Sequence, residues 1–262
     1  MPDEEEDMTY SEPEVRRRRP ARAHKAALVV AQDIVEDISR RKLGPGSRLA
    51  TEKEMLVMHG VGRGTLRESL RFLELNGVIS MKPGPRGGPT VEEPDSKDLA
   101  GTLGLFLQVY NTPFKAIVES REYLEPIMAG LAATNSSSKM LSEIADSLEE
   151  MKSNIDDEER FLEANEKFHE SVAWASGNTV FALFLCSLHW ITDGTQLGVD
   201  YPLSRRKAVL LAHQTIYKAI SARDSALASK AMKQHVSEFR KYIEKNYSSV
   251  FDRPLRWGDI AP

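Results

Sequence analysis

The sequence contains a single cysteine, Cys186, so no disulfide can form within the chain. This cysteine lies in an apolar run, which favours a buried core position over a reactive thiol. No run of eighteen or more apolar residues is present, which argues against a membrane-spanning helix. The first residues, Met1 to Asp7, are acidic and lack the apolar core of a secretory signal. These absences are typical of a protein from a reducing cytoplasm.

Charge is distributed unevenly along the 262 residues, although the formal net charge is only −4. Residues 16–91 hold 16 Lys and Arg against 7 Asp and Glu, which is a net charge of +9. The remainder holds 19 against 32, which is a net charge of −13. One basic section in an otherwise acidic chain indicates a local site for a polyanion. Charge alone does not distinguish among DNA, RNA and anionic lipid as the polyanion that binds there.

Composition and periodicity divide the chain into a disordered tail at 1–20, a first domain at 21–92, a linker at 93–98, a helical domain at 99–250 and a C-terminal tail at 251–262. The N-terminal tail joins an acidic run to four arginines, Arg16 to Arg19, and such a composition predicts disorder. The arginine block is interpreted as a solvated arm, and the alternative is an arm that adds phosphate contacts to DNA.

The first domain is predicted to contain three helices and a β-hairpin. Apolar residues at helical spacing predict helices at about 24–41, 52–58 and 63–76, each ended by glycine or by a glycine–proline turn. Residues 78–82 read as a short strand, and a return strand begins at Thr90 after a glycine- and proline-rich loop. This order is that of a winged helix-turn-helix.

The third helix carries two stripes of opposite character. In a helix-turn-helix the second helix of the motif lies in the major groove, and its N-terminal residues reach the base edges. Arg63 and Arg67 are four residues apart and share one face, whereas three leucines form another. Arginine can bind guanine through O6 and N7, and Thr65 can contact a phosphate or a base. An amphipathic helix with two arginines is common, so the inference rests on element order, wing and charge together.

Further DNA contacts are expected from the preceding helix and from the wing. Lys53 begins the preceding helix, and Gly64 allows the backbone to approach DNA closely. Arg86, Gly87 and Gly88 at the wing tip suit a minor-groove or phosphate approach. The candidate DNA-binding residues are therefore Lys53, Arg63, Gly64, Thr65, Arg67, Arg86, Gly87 and Gly88.

The second domain shows no strand pattern and reads as seven helices between about 98 and 247. The predicted fold is therefore mainly α, with an N-terminal winged helix-turn-helix and a C-terminal all-α bundle. Residues 252–262 are expected to form an extended tail.

Three histidines of the second domain are candidates for a metal site. Asn165 and His169 are four residues apart on a predicted helix, so they share a face. His213 and His235 are equidistant from a helix break at Asp224, so an antiparallel hairpin would bring them face to face. Three imidazoles and one oxygen ligand would suit Zn²⁺, Ni²⁺ or a similar ion. By spacing alone, hydrogen-bonded core histidines are the commoner explanation.

The first domain closely resembles the GntR family of bacterial regulators over about 70 residues. The matching segments are Leu49–Glu54, Gly60–Leu70, Leu73, Gly77–Ile79 and Gly87–Gly88. The resemblance implies DNA contacts at Arg63 and Arg67, then at Lys53, Thr65 and the wing glycines. Ala50 stands where the family has proline, and Gly62 where it has serine or threonine. The missing hydroxyl at Gly62 predicts one phosphate contact fewer.

The second domain resembles the helical FCD domain of the FadR subfamily. The matching segments are Glu119–Glu125, Asn165–His169, Ala175–Asn178, His213 and His235. The resemblance implies a metal held by an aspartate and three histidines, and an effector carboxylate bound by the metal and by an arginine that matches Arg121.

Asn165 replaces that aspartate, so a divalent metal is expected to bind more weakly. The candidate effector-binding residues are Arg121, Asn165, His169, His213 and His235, and the last four are the candidate metal ligands.

The leading hypothesis is a non-enzymatic, ligand-responsive transcription regulator, with repression favoured. It would bind a two-fold operator in double-stranded DNA as a homodimer and sense a small carboxylate. A second hypothesis is a metal-dependent hydrolase that uses His169, His213 and His235. This hypothesis lacks an HExxH motif, and Glu166 is the one local candidate for a general base. A third is an architectural DNA-binding protein without an effector.

Overall fold

The structure is a computed structural model that describes residues 21–84, 87–192 and 197–259. These residues fall into two compact units, which divide between Pro94 and Asp95. The predicted arginine arm and the wing-tip residue Arg86 lie outside the described residues. No helix in the described ranges has both the length and the apolarity needed to cross a bilayer.

The first unit has the order of a winged helix-turn-helix, as predicted. Its elements are α1 (Ala21–Arg41), α2 (Glu52–His59), α3 (Arg63–Leu75), β1 (Ile79–Lys82) and β2 (Gly88–Val91). The two strands pair antiparallel, with Ile79 opposite Val91. Thr51 and Glu54 cap α2 reciprocally, which satisfies backbone N–H groups that the helix leaves unpaired.

Packing of α1 against α3 holds the first unit together. Leu66, Leu70 and Ile34 are almost fully buried in its apolar core. The buried Ser69 hydroxyl donates a hydrogen bond to the Ala27 carbonyl at 2.8 Å, which links α3 to α1. The buried stripe of α3 therefore fixes which side of this helix faces solvent.

The wing hairpin requires glycine at its tip. A Cβ atom on Gly87 would lie 2.0 Å from the Lys82 carbonyl oxygen, which is closer than any side chain allows. Gly88 has a φ of +128°, a conformation that other residues rarely adopt. The geometry of the turn accounts for both glycines before any contact with DNA is considered.

The second unit is an all-α bundle, as predicted. Its helices are α4 (Ser96–Val109), α5 (Phe114–Asn135), α6 (Ser138–Ser153), α7 (Glu158–Ala175), α8 (Thr179–Thr192), α9 (Leu203–Ser221), α10 (Ser225–Asn246) and the short α11 (Ser248–Phe251). Helix α4 begins inside the segment interpreted as a linker, because the Asp95 carboxylate caps it by accepting from the Lys97 amide.

Helices α9 and α10 form the hairpin that the sequence predicted. Arg223 in the turn has a φ of +60°, and its side chain donates to the Ser136 carbonyl at 2.6 Å. Asp224 caps α10 by accepting from the Leu227 amide. Helix α10 packs along α5, and the hairpin closes the bundle around buried side chains such as Phe168.

Residues 252–259 form part of the bundle, which corrects the expectation of an extended tail there. Leu255 is 2% exposed and belongs to an apolar cluster that includes Phe114. Its amide donates to the Thr112 carbonyl at 2.9 Å, and the Trp257 indole donates to the Gly101 carbonyl at 3.1 Å. A single buried leucine has no periodicity, so the sequence pattern carried no sign of this docking.

We expect Leu255→Ala to lower the free energy of unfolding of the helical unit by about 2–5 kcal/mol, because it empties a buried apolar site. The matched control is Arg256→Ala, which changes an exposed neighbour. Calorimetric or denaturant unfolding measures both. Equal stabilities for the two variants would contradict the docked position of Leu255.

Cys186 is buried, as predicted, and burial together with the neighbouring Glu170 carboxylate raises the pKa of its thiol to about 12. Since the thiolate is the reactive form, the native protein should resist alkylation or disulfide exchange at pH 8. Addition of denaturant should expose one reactive thiol. Rapid labelling of the native protein by a thiol reagent at pH 8 would contradict this placement.

Candidate functional site

The exposed face of α3 presents a row of arginines. Helix α3 begins at Arg63, and Gly62 at its N-cap supplies no side-chain hydrogen bond. Arg63 and Arg67 are exposed, while Leu66 and Leu70 on the opposite side are buried. The helix therefore separates its apolar and basic stripes as the sequence predicted.

One further arginine extends this row. Arg71 lies four residues beyond Arg67 and is exposed, and sequence reasoning missed it although the same spacing pointed to it. The Nε atom of Arg67 lies 3.7 Å from a carboxylate oxygen of Glu52, and both side chains are exposed. An exposed pair of this kind is worth little, so Arg67 can exchange Glu52 for another anion.

The other predicted DNA contacts lie on α2, on α3 and in the wing hairpin. Lys53 is exposed on α2, Gly64 is exposed on α3, and Thr65 is half-buried. Gly87 and Gly88 lie at the wing tip and are half-buried. The described candidates therefore lie on consecutive elements of the first unit, which are α2, α3 and the wing hairpin.

The helical unit contains a cavity of about 480 Å³. Its polar lining includes Arg121, Asn165, His169, His189, Arg205 and His235, which come from five helices. His213 is fully buried behind this lining. A pocket of this volume suits a small metabolite.

The three predicted histidines meet beside the cavity. One ring nitrogen from each of His169, His213 and His235 lies within 4.8 Å of the others. The Nε2 atoms of His213 and His235 are 3.0 Å apart, as the symmetry of the α9–α10 hairpin predicted. The His213 ring stacks on Phe168 with centroids 4.0 Å apart, which restricts its rotation.

Burial keeps two of these imidazoles neutral. Burial is the largest cause that holds the pKa of His213 and of His235 well below the usual value, and the neighbouring His169 lowers both further. Each neutral ring has one nitrogen with a free lone pair. At 3.0 Å, the two Nε2 atoms either share one hydrogen or direct both lone pairs at a common cation. The donor set therefore fits a divalent metal.

A buried carboxylate that sequence reasoning missed supports the histidines. One oxygen of Glu125 lies 2.6 Å from Nδ1 of His169, and the other lies 2.6 Å from Nε of Arg121 and 3.2 Å from Nε2 of His189. Burial favours the protonated form of Glu125, but Arg121, His169 and His189 outweigh it and hold its pKa well below the usual range.

These contacts assign a role to each partner of Glu125. The anionic carboxylate accepts the Nδ1 hydrogen of His169, which leaves Nε2 of that ring for the histidine cluster. Burial, aided by the charge of Arg121, lowers the pKa of His189 to about 3, so its neutral ring donates to Glu125. Arg121, the expected effector contact, is itself buried and paired with Glu125.

Glu125, His169 and His189 also have the spacing of metal ligands. The charge of Glu125 is already shared with Arg121, however, so the cluster of His169, His213 and His235 is the better donor set. Asn165 lines the adjoining cavity one helical turn before His169 and supplies an amide oxygen on that side.

Comparisons with known proteins agree with this architecture. Residues 26–87 match the family described as bacterial regulatory proteins, gntR family, and residues 116–238 match the FCD domain. The HTH-type transcriptional repressor NanR of Citrobacter rodentium is 26% identical over 226 residues, which cover 84% of this chain and 86% of the relative. NanR of Klebsiella aerogenes is 27% identical over 225 residues, with the same coverage of both chains.

A solved structure has the same fold. The Streptococcus agalactiae GntR structure aligns with a TM-score of 0.61 at 23% identity, and the match covers 82% of this chain and 99% of that one. The relatives named above are transcriptional repressors rather than enzymes, so the hydrolase hypothesis is set aside. The chain belongs to the GntR family of bacterial regulatory proteins, as a non-enzymatic transcription regulator that joins a GntR DNA-binding domain to an FCD domain.

Proposed function

We propose that this regulator is a dimeric repressor whose helical unit binds a divalent metal and a small carboxylate effector. The observation that carries the proposal is the meeting of three buried histidines beside a cavity, in a chain whose other unit exposes the arginine row of α3. The NanR relatives, which are named repressors, favour repression over activation.

DNA binding would use α3 as the reading helix. Arg63 and Arg67 would contact base edges, while Thr65 and Lys53 would contact phosphates or flanking bases. Gly62 supplies no side-chain cap, so the first N–H groups of α3 would be free to receive a phosphate. Gly64 would let the backbone come close to the duplex, and Gly87 and Gly88 would do so at the wing.

We expect a homodimer because one winged helix contacts only a short stretch of DNA. A single winged helix reads few base pairs, so a two-fold operator needs two copies. Helices α5 and α8 pack against each other, and each exposes two large apolar side chains one turn apart. These side chains are Tyr123 and Ile127 on α5, and Val180 and Phe184 on α8. A self-complementary contact through this face would cover them.

The metal would be held by His169, His213 and His235, with Asn165 as a neutral oxygen donor. When bound, it would supply a positive centre for an effector carboxylate. Glu125 would keep His169 in the ligating tautomer. Effector binding in the cavity would shift the population of conformations that present the reading heads to the operator.

We expect Arg63→Ala and Arg67→Ala each to weaken binding to the gene's own upstream DNA by about tenfold or more, because each removes a base contact. The control is Arg160→Ala, which removes an exposed arginine from α7. Gel shifts at fixed salt measure all three variants. Unchanged binding by both α3 variants would refute the assignment of the reading helix.

His213→Ala should weaken Zn²⁺ or Ni²⁺ binding by more than about 100-fold, because even supporting residues around a metal change affinity by 10–100-fold. Asn165→Asp should tighten binding, since it restores a negative ligand. His24→Ala, an exposed histidine of the first unit, is the control. Elemental analysis and competitive metal titration give the affinities. Equal metal content in wild type and His213→Ala would disprove the site.

A further inference from the structure

Arg205 on α9 lines the cavity, is half-buried, and carries two hydrogen-bond donors without a partner in the part of the chain that the structure describes. Its Nε and Nη2 atoms are both buried, and neither has a hydrogen-bond partner among the described residues. Unpaired buried donors are costly and uncommon, more so when they carry charge. These two nitrogens lie on one edge of the guanidinium and form the fork that matches the two oxygens of a carboxylate.

The ring of Tyr242 contacts this guanidinium, but Nε and Nη2 remain without a hydrogen-bond partner among the described residues. The guanidinium carbon lies 4.7 Å from the centre of the Tyr242 ring, so the cation lies over the face of the ring. Hydrogen bonds from arginine run in the plane of the group, and Nε and Nη2 make none to the residues that the structure describes. The Tyr242 hydroxyl donates to the Asp200 carbonyl at 2.9 Å, which fixes the ring in place.

Two buried arginines, Arg121 and Arg206, each have a carboxylate partner, although Nε of Arg206 has no hydrogen-bond partner among the described residues. Arg121 is bound to Glu125 at 2.6 Å, and Nη1 of Arg206 lies 3.3 Å from a carboxylate oxygen of Glu158. Four glutamates also line the cavity: Glu158, Glu159 and Glu163 are exposed to water, which screens their charge, and Glu166 is half-buried. Burial lowers the pKa of Arg205, and the nearby Tyr201, Tyr242 and Glu238 offset only part of this effect.

We propose that Arg205 is the anion-binding residue of the cavity and takes one carboxylate group of the effector through Nε and Nη2. This inference rests on the proposed effector function and reassigns the residue that binds the effector carboxylate. The effector carboxylate would pair with Arg205 on α9, whereas Arg121 would pair with Glu125 and would not contact the ligand. A carboxylate is favoured over an uncharged ligand because its two oxygens accept charge-assisted hydrogen bonds from the guanidinium.

The test uses the full-length, metal-loaded protein and three probe anions: acetate, succinate and gluconate. Each sodium salt is titrated at constant ionic strength against sodium chloride, and the thermal midpoint gives an apparent affinity. Arg205→Gln removes the charge, and Arg205→Lys keeps the charge but loses the fork. Lys207→Gln removes an exposed cation two residues away and serves as the control.

We expect at least one carboxylate to raise the midpoint of the wild type above the chloride reference. Arg205→Gln should lower the apparent affinity for that anion by about tenfold or more, and Arg205→Lys should lower it less. The affinity of Lys207→Gln should match that of the wild type. Without added carboxylate, Arg205→Gln should melt no lower than the wild type, because it removes an unpaired buried charge. Circular dichroism establishes that the variant is folded.

Two results would overturn the proposal. One is a carboxylate affinity in Arg205→Gln equal to that of the wild type, and the other is no response of the wild type to any of the three anions. Upstream-DNA binding and metal content are measured separately on the wild type. If the wild type fails to bind that DNA while Arg205→Gln still loses the carboxylate, the proposed repressor role at that DNA fails and the assignment of Arg205 stands.

Discussion

A buried carboxylate organises the interior of the helical unit. Glu125 is enclosed by Arg121, His169 and His189, and each of these contacts offsets part of the cost of removing its charge from water. The same contacts decide which nitrogen of His169 faces the histidine cluster. Because Arg121 is used in this way, the proposed anion contact of the cavity falls to a different cation, Arg205.

In the first unit, core packing holds α3 at a fixed rotation about its own axis. The leucines of α3 and the Ser69 hydrogen bond to α1 leave a single face of α3 in water. That face carries Arg63, Arg67 and Arg71. Core packing therefore sets which side chains can reach a groove, and the arginines need no support beyond their position on the helix.

Local patterns predicted the features that depend on helical spacing and turns. The winged helix order, the all-α bundle and the meeting of His213 with His235 all follow from periodicity and from the hairpin at Asp224. Glu125, His189 and Arg205 were missed because their importance depends on burial and on partners from other helices. His189 lies in a nearly continuous apolar run on α8, where no alternation marks a polar site.

The wing tip limits how such a protein can change during evolution. Since any side chain at position 87 would collide with the Lys82 carbonyl, substitutions there disrupt the hairpin before they can alter what it recognises. The exposed positions of α3 meet no such restriction. Under the proposed reading role of α3, lineages that acquire new operators would therefore diverge along its exposed face while Gly87 stays unchanged.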